Sequence, residues 1–132
     1  MSKLQVLYVD DEPDIREVAC MSLELDASLE VQAMPSGLAA LAALQSGECR
    51  PDVVLLDVMM PELDGPGTLA RLRELPGHAT TPVVFITARA QPHEQDRYVA
   101  LGAIGVITKP FDPMMLASTL RTLLASVEPV LA

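Results

Sequence analysis

Short apolar runs and longer stretches of helical periodicity alternate five times along the chain. A run that is apolar on both faces, such as Val53–Leu56, is typical of a strand buried within a sheet. Because each run is followed by a helical stretch, successive strands join in parallel through right-handed crossovers. The alternation therefore predicts a doubly wound α/β fold, with a parallel sheet covered by helices on both sides. We predict strands at Leu4–Val9, Leu29–Met34, Val53–Leu56, Val83–Ile86 and Val106–Ile107, and helices at Pro13–Leu25, Gly37–Gln45, Thr68–Leu75, Pro92–Leu101 and Met114–Val127.

The chain has 132 residues, half of them hydrophobic, which is enough for one domain with its own core. Neither a linker nor an internal repeat interrupts the alternation. We therefore expect a single domain over residues 1–132, with no attached output domain. Cys20 and Cys49 belong to no CxxC pair or His cluster, so the sequence indicates neither a zinc site nor a disulfide framework.

The acidic composition of the chain limits the classes of macromolecule that it can bind. Eighteen acidic residues against nine basic ones give a net charge of −9, which repels nucleic acids and anionic lipids. With two Phe, two Tyr and no Trp, little aromatic surface is available for stacking on bases. We expect no direct contact with nucleic acid or membrane. No apolar run is long enough to span a bilayer, and acidic residues come too early for a signal peptide, so we expect a cytoplasmic protein.

Polar residues follow four of the predicted strands at the points where those strands end. They are Asp10 and Asp11 after the first strand, Asp57 after the third, Thr87 after the fourth and Lys109 after the fifth. Ligands of open parallel sheets bind beyond the carboxyl ends of the strands. We therefore expect these five side chains to converge at one edge of the sheet.

The predicted cluster has an excess of negative charge. Asp10, Asp11 and Asp57 bring three carboxylates together, and Lys109 neutralises one of them. A hard divalent cation that prefers oxygen ligands would neutralise the rest, which favours Mg²⁺, or Mn²⁺ in its place. A carboxylate beside such a cation, a lysine and a hydroxyl can accept a phosphoryl group, and Asp57 is the natural acceptor.

Each residue also has a simpler interpretation. Asp10 and Asp11 are able to cap the first helix, Asp57 to end its strand in a turn, and Lys109 to be a solvated charge. These interpretations require several coincidences at one sheet edge, whereas a shared site explains all four positions together.

Four motifs resemble the receiver domain of two-component response regulators: YVDDEPD, LLDVMMPELDG, FITA and ITKPF. The resemblance extends over nearly the whole chain. It implies a flavodoxin-like (βα)5 fold with strand order 2-1-3-4-5. It also implies a single-domain response regulator that is phosphorylated by a histidine kinase or a histidine phosphotransfer protein, and that then switches the binding of an unidentified output protein or relays the phosphoryl group.

The resemblance also implies a role for each residue that would hold the metal. Asp57 takes the phosphoryl group and binds Mg²⁺ directly together with Asp11, whereas Asp10 acts mainly through water. The backbone carbonyl of Met59 is a further expected ligand.

The resemblance implies further roles for the residues that respond to the phosphoryl group or shape the site around it. Lys109 is expected to pair with a phosphoryl oxygen and the Thr87 hydroxyl to bond another. A cis peptide before Pro110 is expected to aim the lysine inward, and Ala88 is expected to help shape the site beside Thr87.

The sequence departs from the family pattern at three positions. Val106 stands where many receivers have Tyr or Phe, so we expect residues 88–92 to shift on phosphorylation in place of a ring movement. Met59 and Arg89 flank the expected path of the hydrolytic water, and their long side chains predict a long-lived acyl phosphate.

Asp64 and Gly65 are expected to have a structural role, with Gly65 allowing an unusual backbone angle before the third helix.

Two alternative functions remain. One is a phosphatase of the haloacid dehalogenase type, which also uses an Asp nucleophile, and the other is an interaction module that binds constitutively. A receiver would not be an enzyme acting on external substrates.

Overall fold

Five parallel strands form one sheet in the computed structural model, which describes residues 3–88 and 91–126. The strand order is β2-β1-β3-β4-β5, which confirms the predicted class and topology. Three strands are one residue longer at their carboxyl ends than predicted, because Asp57 pairs with Ile86 and Thr87 with Thr108 across the sheet. The fifth strand also begins one residue earlier than predicted, at Gly105. The strands are β1 (Leu4–Val9), β2 (Leu29–Met34), β3 (Val53–Asp57), β4 (Val83–Thr87) and β5 (Gly105–Thr108).

Five helices connect and cover the strands: α1 (Pro13–Glu24), α2 (Gly37–Ser46), α3 (Gly65–Leu72), α4 (Pro92–Ala100) and α5 (Leu116–Ala125). The prediction for α3 was wrong by three residues at each end, because the Asp64 side chain accepts a hydrogen bond from the Gly67 amide and starts the helix early. The prediction that α5 begins at Met114 was also wrong, because Asp112 accepts hydrogen bonds from the amides of Met114 and Met115 in a separate turn. Val127 lies outside the described residues.

Alternate residues of the strands face opposite layers of the core. Val6 and Tyr8 of β1 pack with α1 and α5, whereas Leu7 and Val9 pack with α2, α3 and α4. All four side chains are buried. This arrangement covers both faces of the sheet and leaves its carboxyl edge as the place where polar side chains gather. Within the described ranges, no helix is both long and apolar enough to cross a membrane.

Candidate functional site

Three carboxylates meet at the carboxyl edge of β1 and β3. These two strands are neighbours at the point where the strand order reverses, which is where ligands of doubly wound sheets bind. Asp10 follows β1 and Asp57 ends β3, and both side chains are buried. One carboxylate oxygen from each of Asp10, Asp11 and Asp57 lies within 4.8 Å of the others. The structure therefore brings together the acidic residues that the sequence predicted as a cluster.

Lys109 reaches this cluster from beyond the end of β5. Its Nζ lies 3.1 Å from Asp10 Oδ2 and 3.3 Å from Asp57 Oδ2. Glu12 Oε1 is more distant, at 3.9 Å, and its side chain is exposed. The Lys109 amide donates to the Thr87 carbonyl, and the peptide bond to Pro110 is cis, as predicted. One ammonium group is thus shared between two buried carboxylates.

Asp10 receives further hydrogen bonds from its own segment of chain. The Tyr8 hydroxyl donates to its Oδ2 at 2.9 Å, and the Glu12 amide donates to its Oδ1 at 3.0 Å. Sequence reasoning missed Tyr8. The two-residue period of a strand places Tyr8 and Asp10 on the same side of the chain, and that signal would have found it.

Burial and charge set the protonation of the cluster. Burial, together with the charge of Asp10, raises the pKa of Asp57 to about 6, although Lys109 acts in the opposite direction. Burial alone would lower the pKa of Lys109, but the hydrogen bonds and charges of Asp10 and Asp57 outweigh it and raise that pKa. Burial and the adjacent Asp10 also raise the pKa of Tyr8 far above its usual range, so its hydroxyl remains a hydrogen-bond donor. The site carries uncompensated negative charge.

The donor set fits a hard divalent cation. It consists of carboxylate oxygens alone, and Lys109 leaves two of the three negative charges uncompensated. The Met59 side chain, two residues beyond Asp57, is 72% exposed. The role of its carbonyl as a ligand stays a prediction. The site is thus a buried acidic cluster that could bind a metal.

Other predicted residues lie around the cluster. Thr87 is buried at the end of β4, next to the strand that carries Asp57. Ala88 is exposed and lines a cavity together with Lys109 and Pro110. Val106 is half-buried and packs against the core layer of α2, α3 and α4. The predicted role of Arg89 lies outside the described residues. The predicted shift over residues 88–92 lies partly outside them.

Gly65 packs closely against the backbone at the end of β3, where Asp57 lies. A Cβ at this position would lie 2.6 Å from the Asp57 carbonyl oxygen and 2.9 Å from Val58 Cα. The expectation of an unusual backbone angle was wrong, because Gly65 is not among the described residues with positive φ. Its role is close approach to the strand that carries Asp57, and its amide donates to the Val58 carbonyl. The structural role expected of Asp64 is confirmed, and the structure shows what that role is: its side chain caps α3.

Gly65→Ala should lower the free energy of unfolding by about 2 kcal/mol, because the added methyl group meets backbone rather than a movable side chain. Urea denaturation of both proteins in EDTA measures the difference. Equal stability would contradict this prediction, because it would mean that the backbone around Asp57 moves to accommodate the methyl group at no measurable cost in free energy.

A family model for the response regulator receiver domain matches residues 6–121. The chain belongs to the response regulator receiver family. This receiver domain has the fold and the acidic site that its sequence predicted, and the family assignment does not favour the phosphatase or the constitutive module.

Known relatives agree with this assignment. The receiver domain is 40% identical over 119 residues to the transcriptional regulatory protein CseB of Streptomyces avermitilis, covering 90% of this chain and 48% of that protein. It is 37% identical to an uncharacterized 14.6 kDa protein of Leptolyngbya boryana, covering 88% of this chain and 86% of that protein. The crystallised chemotaxis response regulator CheY4 of Vibrio cholerae is 33% identical, with a TM-score of 0.82 over 92% of this chain and 99% of that one.

The receiver domain spans about half the length of the first curated relatives that it matches. Several relatives are named as transcriptional regulators, and one as a DNA-binding regulator. These names do not support our expectation that nucleic acid is excluded as a partner. What the relatives share with this chain is the receiver domain of two-component signalling.

Proposed function

We propose that Asp57 accepts a phosphoryl group from the phosphohistidine of a histidine kinase or a histidine phosphotransfer protein. An Asp57 carboxylate oxygen attacks phosphorus, the P–N bond to the imidazole breaks, and the imidazole leaves with the electron pair of that bond. The observation that carries this proposal is the position of Asp57. It is a buried carboxylate whose Oδ2 lies 3.3 Å from Lys109 Nζ, within a cluster of three carboxylates.

The neighbouring side chains have separate roles in this proposal. Mg²⁺, held by Asp10, Asp11, Asp57 and the Met59 carbonyl, would neutralise charge on the phosphoryl oxygens. Lys109 pairs with one phosphoryl oxygen, and the Thr87 hydroxyl bonds another. Thr87 ends β4, Lys109 directly follows β5, and the Lys109 amide donates to the Thr87 carbonyl. A movement of either side chain toward the phosphoryl group therefore acts on the ends of both strands.

The signal passes to a partner protein, or the phosphoryl group is relayed to one. The net charge of −9 favours a protein over nucleic acid as the direct partner of this domain. With Val106 in place of an aromatic ring, the segment over residues 88–92 is the proposed moving element. We propose a cytoplasmic location, which is consistent with a response regulator receiver domain.

The surface beside Lys109 is the proposed approach for the phosphodonor. A cavity of about 370 Å³ opens there, and its lining is almost entirely apolar. It is lined by Asp14, Ile15, Val18, Ala88, Lys109, Pro110, Phe111 and Pro113. This surface offers an approach for the histidine-bearing partner.

Turnover of an external phosphoester would favour a phosphatase instead. Phosphatases of the haloacid dehalogenase type resemble one another in a DxD motif after the first strand, whereas this chain has Asp10, Asp11 and Glu12. We expect no turnover of a chromogenic phosphoester beyond one equivalent per protein. Sustained release of product at catalytic protein concentrations would contradict the receiver function.

Trapping the acyl phosphate tests the assignment of the acceptor. After incubation with acetyl phosphate and Mg²⁺, borohydride reduces an aspartyl phosphate to homoserine, which peptide mass spectrometry locates. We expect homoserine at position 57, while Asp10 and Asp11 in the same sample serve as internal controls. Homoserine at either of those positions would overturn the assignment of Asp57.

The lifetime of the acyl phosphate should depend on Met59. Its side chain is long and exposed, and it lies two residues beyond the acceptor, where we expect it to hinder the approach of water. We expect the half-life to fall in Met59→Asn and to fall further when Arg89→Ala is added. A pulse of labelled donor followed by a chase measures both half-lives, and unchanged decay would contradict this role.

A further inference from the structure

The Tyr8 hydroxyl is a polar group within an otherwise aliphatic layer of the core. Its residue is fully buried, and the cluster around it is formed by side chains of the sheet, α1 and α5, including Leu23, Leu55 and Leu120. A hydroxyl buried there without a partner would destabilise the fold. Its hydrogen bond goes to Asp10 Oδ2 at 2.9 Å, so the phenol joins the core directly to the acidic cluster.

Asp10 Oδ2 faces two donors, and the two differ in character. The Lys109 ammonium lies 3.1 Å away but is shared with Asp57, whose Oδ2 is 3.3 Å from the same nitrogen. The Tyr8 hydroxyl is neutral and is held by a rigid ring packed in the core. If Lys109 turns toward a phosphoryl group on Asp57, as the proposed function requires, Asp10 Oδ2 loses the ammonium group and retains the phenol.

We propose that Tyr8 is a positioning residue of the phosphorylation site, whose hydroxyl fixes the orientation of the Asp10 carboxylate for the cation and leaves Lys109 free to follow the phosphoryl group. This inference rests on the proposed function for the role of Lys109. The hydrogen bond of the Glu12 amide to Asp10 Oδ1 fixes the other oxygen, so the carboxylate is held at both ends.

Tyr8→Phe removes the hydroxyl and keeps the ring. The chain offers a matched control in Tyr98→Phe, because Tyr98 is also buried but packs edge-on against Phe85 in the opposite core layer, with ring centroids 5.2 Å apart. Calorimetric titration with Mg²⁺ alone gives the dissociation constant of each protein. Intact-mass kinetics with acetyl phosphate give the rate of phosphorylation at saturating Mg²⁺. Thermal unfolding in EDTA checks that both variants fold.

The Mg²⁺ dissociation constant of Tyr8→Phe should rise about tenfold, as expected for loss of a group that orients a metal-binding carboxylate. The rate at saturating Mg²⁺ should fall by a similar factor, while Tyr98→Phe keeps the original values of both. In an Asp10→Asn background, Tyr8→Phe should have little further effect on either quantity. A Tyr8→Phe protein with unchanged Mg²⁺ affinity, even if it unfolds at a lower temperature, would overturn the proposal.

The affinity measurement separates this inference from the proposed function. If the original protein takes up no phosphoryl group, but Tyr8→Phe still weakens Mg²⁺ binding through Asp10, then the proposed function fails and the positioning role stands. If both proteins are phosphorylated normally and bind Mg²⁺ with equal affinity, the proposed function stands and the positioning role of Tyr8 fails.

Discussion

Lys109→Met should lower the free energy of unfolding by about 3 to 5 kcal/mol at pH 8 without metal, because it removes the cation from two buried carboxylates. Asp10 and Asp57 then repel each other with no ammonium between them. The loss should be smaller at pH 5, where the pKa of Asp57, already raised to about 6, lets that carboxyl take up a proton. Added Mg²⁺ should restore part of the loss.

Urea denaturation in EDTA at both pH values measures this effect. Lys3→Met is the matched control, since Lys3 is the other lysine of the chain and is exposed. We expect the control to stay within about 0.5 kcal/mol of the original protein. If Lys109→Met were as stable as the original protein at pH 8, the lysine would not be needed to stabilise the two buried carboxylates, which would contradict this prediction.

Asp57→Asn should raise the free energy of unfolding of the metal-free protein at pH 8. The pKa of Asp57 rises from 3.8 to about 6 on folding, so above that pH the folded state holds an unfavourable negative charge. A rise of this size corresponds to a gain of about 2 to 3 kcal/mol when the charge is removed. Asp10 remains to pair with Lys109 in the variant.

The pH dependence of this gain follows from the direction of the shift. Near pH 4 and below, Asp57 is protonated in the folded state, so the substitution should change little. The gain should grow as the pH rises from about 4 to about 6, between the unfolded and folded pKa values of Asp57, and then stay constant. Urea denaturation from pH 4 to 8 in EDTA gives the profile. Asp52→Asn, which changes an Asp on the loop before β3, is the control, and a gain that fell with rising pH would contradict the account.

Much of the site could be predicted because each residue follows a strand whose limits are visible in the sequence. Continuous apolar runs such as Val53–Leu56 locate the strands, and parallel topology brings their carboxyl ends to one edge. Asp57 and Lys109 are far apart in sequence, yet this reasoning places them together, and the structure puts their charged atoms 3.3 Å apart.

Features that depend on side-chain packing were harder to predict. Tyr8 looks like an ordinary core residue of a strand, and only the position of its hydroxyl shows the contact with Asp10. Gly65 was assigned a conformational role, because sequence gives no distance to the Asp57 carbonyl. The limits of α3 and α5 depend on which local hydrogen bonds of Asp64 and Asp112 form, and propensity alone does not decide between them.

Intact-mass spectrometry tests the central claim most directly. The protein and its Asp57→Asn variant are incubated with an acyl-phosphate donor, with Mg²⁺ or with EDTA. We expect one phosphoryl adduct on the original protein with Mg²⁺ and none in the other three samples. An adduct of equal yield on Asp57→Asn would contradict the assignment of the acceptor, and an adduct of equal yield in EDTA would contradict the role of the cation.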